Sequence, residues 1–402
     1  MTDYSDIHIE WQSEVTAKMG YGLQTRRMLK PLLDGGAKIK LIPDEDYLPP
    51  HMKIQDSYWT DKIEEGNLLE PAPIRIMHCL PNRYRPEKGK INIGYSMWET
   101  TQLPRESVHH INNTCNYFWA GGSSLAEVAK NSGISCPVLP VSPTLDTSEW
   151  TPDGPKLNIN EVPKEDVKFL FIGNFIPRKN LEALVVAFSV AFEGIEDASL
   201  TIKSFAAANT SQAKKHISGA IKNMVNKANN LKRRPKISVV TDLLEEEHMK
   251  SLIRGCDVYV TASKGERFDY SLAQAMSMEK LVVADQFLSH KDYINQDNAI
   301  PVNHTLTPCI EANAPLYGAY QMWSSPDMGN LISSMQLAYT TVKHNTHKHL
   351  RENARKTITD KFGVQASTEA LANTIRDIAK GIHAPQKPEI RNAIQQLVSG
   401  PR

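Results

Sequence analysis

The stretch DVYVTASKGERFDYSLAQAMSMEKLVVAD, residues 257–285, decides the fold. An apolar run leads into a polar loop with Glu266, helix-forming residues begin near Ser271, and a second apolar run follows at Leu281–Ala284. This order is typical of parallel sheets covered by helices. At such a strand-to-helix turn, the free N–H groups of residues 269–271 and the helix dipole favour phosphate oxygens. An ordinary turn with a solvated glutamate and a capping serine is the alternative on this stretch alone.

The same alternation of apolar runs and amphipathic segments extends over the whole chain. Residues 142–164 interrupt it with four prolines and little periodicity, which indicates a linker between two α/β domains. We therefore predict an α/β fold with two Rossmann-like domains that face each other across a cleft. The predicted domains are residues 1–155 and 156–380, followed by a C-terminal helix in residues 381–402 that packs back on the first domain.

Composition places the chain among ordinary globular proteins. It has 402 residues, with 46 Lys and Arg against 45 Asp and Glu, so the formal net charge is +1. This balance gives no argument from global charge for nucleic-acid or membrane binding. The five cysteines are dispersed, which predicts neither a disulfide framework nor a zinc site. No apolar run approaches the roughly 18 to 20 residues of a membrane span, and the first residues lack a signal-peptide pattern, so we expect a cytoplasmic protein.

The opening stretch resembles the signature of the retaining glycosyltransferases of family 4, which share the two-domain glycosyltransferase B fold. Their pattern has a Glu, seven residues, a second Glu, then Ala-Met and a short turn to a Val-Val strand. The matching positions here are Glu266, Phe268, Ala275-Met276 and Val282-Val283. Gln274 replaces the second Glu. The resemblance implies that Glu266 holds the transferred sugar and that Gln274, a neutral hydrogen-bonding group, binds the ribose of the nucleotide.

A second match lies in FLFIGNFIPRKNLEALVVAF, residues 169–188. It is similar to the family's Gly-Arg and Lys-Asn element, in which arginine and lysine together neutralise the donor diphosphate. Gly173 and Lys179 match, whereas Asn174 occupies the position of the arginine. The adjacent Arg178 is a candidate substitute, although neighbouring residues at a helix start seldom point the same way. Two solvated charges are the alternative.

The first half of the chain diverges more from the family. Gly20 and Gly22 resemble its glycine loop that closes over the donor phosphates, although a Gly-x-Gly is more often a plain turn. Glu99 begins a stretch similar to the Glu-x-x-x-Leu-Pro element of bacterial relatives. His78, at the end of a predicted strand, is either a residue that orients the sugar or the acceptor or a core histidine. The basic loop after that strand, residues 83–90, suits a phosphate-rich acceptor such as DNA or a lipid head group.

The resemblance thus predicts a retaining glycosyltransferase, with the acceptor bound by the first domain and a nucleotide diphosphate-sugar bound by the second as a co-substrate. No cofactor and no metal are expected. The predicted catalytic residues are Glu266, Lys179 and His78. The predicted donor-binding residues are Gly20, Gly22, Gly173, Asn174, Arg178, Thr241, Phe268, Asp269, Tyr270, Ser271 and Gln274, and the predicted acceptor-binding residues are Glu99, Arg83 and Arg85.

Three other hypotheses remain open. One is a virus-type enzyme that glycosylates hydroxymethylated bases in DNA, suggested by the basic loop. Another is a nucleotide-sugar-binding or scaffold protein that has lost catalysis, suggested by Asn174 and Gln274 at positions where the family has charged residues. The third is an epimerase or phosphorylase on the same fold. The sugar, the nucleotide, the acceptor and the oligomeric state do not follow from the sequence.

Overall fold

The computed structural model describes residues 2–18, 20–159, 162–205, 210–228, 236–310, 317–346 and 348–382. Its strands are β1 (His8–Ser13), β2 (Lys38–Pro43), β3 (Ile74–His78), β4 (Ile91–Ser96), β5 (Tyr117–Ala120), β6 (Val138–Pro140), β7 (Val167–Asn174), β8 (Ala198–Phe205), β9 (Lys236–Val240), β10 (Val258–Val260), β11 (Leu281–Asp285), β12 (Ile300–Val302), β13 (His304–Pro308) and β14 (Met322–Pro326). Its helices are α1 (Tyr21–Asp34), α2 (Ser57–Asn67), α3 (Arg105–Thr114), α4 (Ser123–Asn131), α5 (Leu181–Ala191), α6 (Ser211–Lys227), α7 (Glu246–Arg254), α8 (Tyr270–Ser277), α9 (Met328–Lys343), α10 (Lys348–Phe362) and α11 (Val364–Ala379).

Two compact units divide the chain. The first contains residues 2–146 together with 361–382, and the second contains Thr147–Asp360. The sequence analysis placed the first boundary nine residues later, at 155, and assigned residues 361–380 to the second domain. The second boundary falls inside α10, where an uninterrupted helix offers no linker signal, and this explains the difference. The predicted C-terminal helix lies almost entirely outside the described residues.

The first unit is built on a six-stranded sheet in the order β2-β1-β3-β4-β5-β6, and every pairing is parallel. Helix α11 returns from the far end of the sequence and packs on α1. Its buried face includes Leu371 and Ile375. At its start, the backbone N–H of Leu145 donates to the carbonyl of Phe362 at 2.8 Å. The last described helix therefore completes the first sheet's helical layer.

The second unit contains a six-stranded parallel sheet in the order β12-β11-β10-β7-β8-β9. Counted within this unit, the order is the 3-2-1-4-5-6 arrangement of a dinucleotide-binding Rossmann sheet. Its core joins the apolar face of α5 to strand residues such as Phe169 and Ile202. Each such side chain contributes about 1.5–3 kcal/mol when it is fully buried. The predicted pair of Rossmann-like sheets is thus confirmed.

In open parallel sheets, ligands bind outside the carboxyl ends of the strands, at the point where the strand order reverses. In the second sheet this point lies between β7 and β10, which are neighbours in space but distant in sequence. A ligand site is therefore expected in the loops that follow these two strands. Across the described parts of the chain, no helix combines the length and the apolar character needed to cross a membrane.

Candidate active site

Glu266 lies at the switch point of the second sheet, in the loop between β10 and α8. Its side chain is buried, with the residue only 5% exposed. The hydroxyl of Ser263, three residues after the end of β10, donates to its Oε1 at 2.5 Å. Sequence reasoning missed Ser263, although a serine three residues before the predicted glutamate was a visible signal. The loop thus fixes one oxygen of a buried carboxylate.

Lys179 and Arg178 reach the same carboxylate from the loop after β7. Lys179 Nζ lies 2.5 Å from Glu266 Oε1, and Arg178 Nη1 lies 3.1 Å from Oε2. Both cations therefore meet one anion, and the expectation that adjacent residues point apart does not apply here. Burial raises the pKa of Glu266, but the charges of Lys179 and Arg178 outweigh burial, and the pKa lies well below its ordinary value. The site holds an ionised carboxylate between two cations.

Gly173 makes room for the lysine. A Cβ at this position would lie 3.2 Å from Cδ and Cε of Lys179 and 2.8 Å from the Phe171 ring. The Lys179 side chain therefore runs across the end of β7 in van der Waals contact with the glycine. Asn174, at the position of the family's arginine, is exposed at the end of the strand.

Helix α8 begins at Tyr270, one residue before the predicted start. Asp269 adopts a left-handed conformation with φ 59°, and its carboxylate accepts a hydrogen bond from the backbone N–H of Leu272 at 3.3 Å. Asp269 is thus an N-cap, whose carboxylate is turned towards the helix. The rings of Phe268 and Tyr270 stand edge to face, with centroids 4.9 Å apart. Ser271 is partly exposed in the first turn.

Of the two predicted nucleoside contacts, Thr241 lies apart from this cluster. Gln274 is buried on α8, only 6% exposed. Thr241 is partly exposed after β9, which is three strands away from β10 in the sheet. At about 4.8 Å between neighbouring strands, that separation is roughly 14 Å. The structure brings Gly173, Arg178, Lys179 and Glu266 together, and it leaves Thr241 further along the same edge.

His78 is a core residue of the first unit. It is fully buried and stacks on the Tyr95 ring with centroids 4.3 Å apart. Its Nδ1 lies 2.8 Å from the hydroxyl of Thr25 in α1. Burial lowers the pKa of His78 to about 3, so the ring is neutral at physiological pH. The structure thus corresponds to the core-histidine alternative, and it presents no exposed His78 atom to a sugar or an acceptor.

Local structure accounts for each of the two glycines near the start of α1. Gly20 has φ 63° and precedes the helix. At Gly22, a Cβ would lie only 2.2 Å from the carbonyl oxygen of Glu14 and 2.5 Å from that of Ala17. Gly22 is therefore required for close backbone packing, whatever the loop binds. Its contact with donor phosphates stays a prediction.

The basic loop of residues 83–90 is neutralised by acidic neighbours. Arg83 Nη1 lies 3.0 Å from Glu14 Oε1, and its Nη2 lies 3.0 Å from Asp44 Oδ2. Arg85 Nη2 lies 2.9 Å from Asp44 Oδ1. Sequence reasoning treated these arginines as free cations because their partners follow other strands. Paired arginines offer little net charge to a phosphate-rich acceptor.

Two further residues of the first unit differ from the acceptor-binding prediction. Tyr84, which lies between Arg83 and Arg85 in the basic loop, is buried and only 5% exposed. It packs against Gly94 of β4. Glu99 is also buried, at 2% exposure, in the turn after β4. Neither side chain is exposed for an acceptor in this structure.

Within the described residues, no three His, Cys, Asp or Glu side chains lie where they could hold a metal ion together. Metal independence of the activity stays a prediction.

Part of the second unit matches a protein family, and the chain as a whole is similar to solved structures. Residues 166–308 match the family described as glycosyl transferases group 1. No curated protein matches the sequence. Among solved structures, HepE of Anabaena in complex with UDP-glucose is 13% identical, with a TM-score of 0.60, over 92% of this chain and 100% of that chain. Sucrose-phosphate synthase from Thermosynechococcus elongatus is 12% identical, with a TM-score of 0.64, over 93% and 100%. An E. coli trehalose-6-phosphate structure bound with UDP-2-fluoro glucose is 10% identical, with a TM-score of 0.62, over 92% and 99%.

The chain has the glycosyltransferase B (GT-B) fold. At these identities, the likeness to solved structures establishes the fold of this GT-B protein and not its substrates. The matched segment, residues 166–308, contains Gly173 and the three residues of the ion pairs, Arg178, Lys179 and Glu266. The candidate site and the family match thus fall on the same part of the chain.

Proposed function

We propose that the chain is a retaining glycosyltransferase that moves a sugar from a nucleoside diphosphate-sugar to a hydroxyl acceptor. The observation that carries this proposal is the buried ion pair of Lys179 and Arg178 with Glu266 at the switch point of the second sheet. Two similarities support it. The segment containing these residues matches glycosyl transferases group 1, and the neighbouring HepE structure is a complex with UDP-glucose.

The two cations stabilise the leaving diphosphate in the proposed reaction. A departing nucleoside diphosphate gains negative charge, and fixed cations in a buried site stabilise such charge strongly. Glu266 holds Lys179 and Arg178 together, because its carboxylate balances the two positive charges. A donor that brings its own phosphate charges shares the cations, so that the Glu266 oxygens accept hydrogen bonds from sugar hydroxyls.

The proposed chemistry needs no general base from the side chains. The bond between the anomeric carbon and the diphosphate oxygen breaks, and its electron pair leaves with the nucleoside diphosphate. The acceptor oxygen bonds to the anomeric carbon on the same face of the sugar, and its proton passes to the leaving phosphate oxygen. This course retains the anomeric configuration. We include metal independence and a cytoplasmic location in the proposal.

The remaining donor contacts follow from the edge of the sheet. The N–H groups at the start of α8 are assigned to the phosphates because a helix N-terminus favours anions. We assign the nucleoside to Gln274 and Thr241. A nucleoside diphosphate-sugar is long enough to extend past several strand ends, which accommodates the distance between Thr241 and Glu266.

The DNA-modifying alternative loses the observation that motivated it. Its basis was a basic loop, and the arginines of that loop are paired with Glu14 and Asp44. The acceptor of the proposed reaction is therefore left as a hydroxyl compound.

A thermal-shift screen against nucleoside diphosphate-sugars, without added metal, tests the proposal. We expect one donor to raise the melting temperature of the wild type, since a ligand at one hundred times its Kd stabilises the native state by about 2.7 kcal/mol. Lys179→Met should abolish the shift. Lys215→Met, which removes an exposed lysine of α6, is the matched control and should retain it.

Turnover of the selected donor then separates the enzyme from the binding protein. Release of nucleoside diphosphate in the presence of hydroxyl acceptors is expected from the wild type and not from Glu266→Gln. A flat thermal-shift panel contradicts the proposal outright. A shift without turnover supports the scaffold hypothesis, and turnover without an acceptor supports the epimerase hypothesis.

A further inference from the structure

The turn Leu288–Asp292, which follows β11, and the adjacent Tyr293 lie directly behind the Glu266 loop. We refer to Ser289, His290 and Tyr293 as the clamp. Each of the three side chains contacts a different residue of the loop, and all three are buried. None of them belongs to the sequence motifs that pointed to the site, and sequence reasoning gave them no role.

Two clamp residues hold the loop backbone. The hydroxyl of Ser289 donates to the carbonyl oxygen of Glu266 at 2.9 Å. The hydroxyl of Tyr293 donates to the carbonyl oxygen of Phe268. Because buried carbonyl groups lose water on folding, each hydrogen bond fixes the orientation of the peptide unit it reaches. The backbone is thus fixed on both sides of Arg267.

The third clamp residue acts on the N-cap of α8. His290 Nε2 lies 3.6 Å from Asp269 Oδ2, and His290 Nδ1 lies 3.2 Å from Asp285 Oδ1. Burial lowers the pKa of His290, but the two carboxylates outweigh burial and raise it to about 10. The imidazolium therefore joins the N-cap Asp269 to the end of β11, where Ser324 donates a further hydrogen bond to Asp285.

We propose that Ser289, His290 and Tyr293 position the Glu266 loop and the start of α8 for donor binding. They are positioning residues, since they contact the loop and not the donor. The inference rests on the proposed function, because it names what holds that site in its binding geometry. The loop has a left-handed non-glycine residue at Asp269, a conformation that persists only where surrounding contacts enforce it.

The experiment uses two mild variants of the full chain, Ser289→Ala and Tyr293→Phe. Each removes one hydroxyl and leaves the backbone carbonyl in place. We expect each variant to raise the KM for the donor about threefold to tenfold with little change in kcat, as for loss of one hydrogen bond that supports ground-state and transition-state binding equally. His290→Gln leaves two buried carboxylates without their cation and destabilises the domain, so the milder variants carry the test.

Matched controls remove the same groups elsewhere in the second unit. Tyr339→Phe deletes a hydroxyl that donates to Asp197 at 2.6 Å, and Ser189→Ala deletes one that donates to Val185 at 2.7 Å. Both controls should keep the wild-type KM. If the clamp variants and the controls give the same KM, the inference is overturned.

Amide hydrogen exchange provides a readout that does not depend on turnover. Exchange in residues 264–272 should quicken in Ser289→Ala and Tyr293→Phe, and stay at the wild-type rate in the two controls. If the wild type binds no donor, the proposed function fails, whereas quickened exchange confined to this loop still supports the clamp. Unchanged exchange in the clamp variants refutes it.

Discussion

Lys203 is a buried cation that the proposed chemistry does not use. It lies at the carboxyl end of β8, only 2% exposed, between Ile172 of β7 and Val240 of β9. Its ammonium lies 5.0 Å from the centre of the Phe205 ring, and within the described residues it forms no ion pair or hydrogen bond. Burial lowers the pKa of Lys203 from 10.5 to about 8, with the charge of Asp242 acting in the opposite direction and that of Lys214 adding to the decrease.

We predict that Lys203→Met stabilises the protein at pH 7 and that this advantage shrinks as the pH rises. Below pH 8 the lysine is charged in both states, and the folded protein bears the cost of burying the charge. Between pH 8 and 10.5 the unfolded state binds more protons, so wild-type stability rises with pH. The difference corresponds to at most about 3 kcal/mol, from 1.36 kcal/mol per pKa unit.

Denaturant unfolding of wild type and variant at pH 7 and pH 9.5 measures this difference. Lys215→Met, at an exposed position of α6, controls for the general loss of a positive charge. A pH-independent difference between wild type and Lys203→Met would show that Lys203 does not titrate in this range.

At the residue scale, the sequence predicted which residues belong to the candidate site better than it predicted the burial and the partners of individual side chains. Glu266 and Lys179 could be identified because each lies in a motif that resembles a family signature, and the two motifs include the strands that flank the switch point. The roles of His78 and Arg83 could not be predicted, because each depends on a partner that follows a different strand. Thr25 is 53 positions from His78, and Glu14 is 69 positions from Arg83. Burial and ion pairing of this kind are tertiary facts that no local pattern contains.

At the element scale, two helical glycines show how the same substitution to alanine has opposite effects. Gly22 in α1 has no space for a Cβ, whereas Gly219 in α6 has nothing within 4 Å of one. We predict that Gly22→Ala destabilises the protein by about 1–3 kcal/mol through overpacking against backbone oxygens. Gly219→Ala should stabilise it by about 0.5–1 kcal/mol, because alanine loses less backbone entropy in a helix.

Thermal or denaturant unfolding of the two alanine variants checks both signs. An equal effect of the two substitutions would mean that the start of α1 is not packed as described.

The elements themselves were largely predictable from periodicity. The helix that begins at Tyr270 and the strand Leu281–Asp285 appear where the alternation placed them, since short β-branched runs and a 3.6-residue spacing are local signals. No comparable local signal marks the clamp. A short turn whose function lies in three single side chains has no periodicity, and its partners in the Glu266 loop lie 21 to 25 positions earlier in the chain.

At the scale of the whole molecule, the first unit depends on residues from the far end of the sequence. We predict that Leu371→Ala in α11 destabilises the first unit by about 2–5 kcal/mol, because it opens a cavity where α11 is buried. Hydrogen exchange should quicken in β1–β6 and not in β7–β12. Arg376→Ala, which removes a partly exposed ion pair with Asp6, is the control and should cost at most about 1 kcal/mol.

Quickened exchange in β7–β12 alone would contradict this assignment of α11. It would favour the boundary at residue 380 that the sequence analysis predicted.

The discontinuous first unit also sets an order of events during protein synthesis. Ribosomes release the chain from its N-terminus, so residues 2–146 emerge before any part of the second unit, yet helix α11, which completes their helical layer, is made after that whole unit. Thr147–Asp360 is continuous and can fold as soon as it has emerged. All six strands of the first sheet have then been made, but the α1 surface that α11 later covers stays exposed while the whole second domain is translated. Replacing the second domain with that of a related protein would likewise require two junctions, one between residues 146 and 147 and one inside α10.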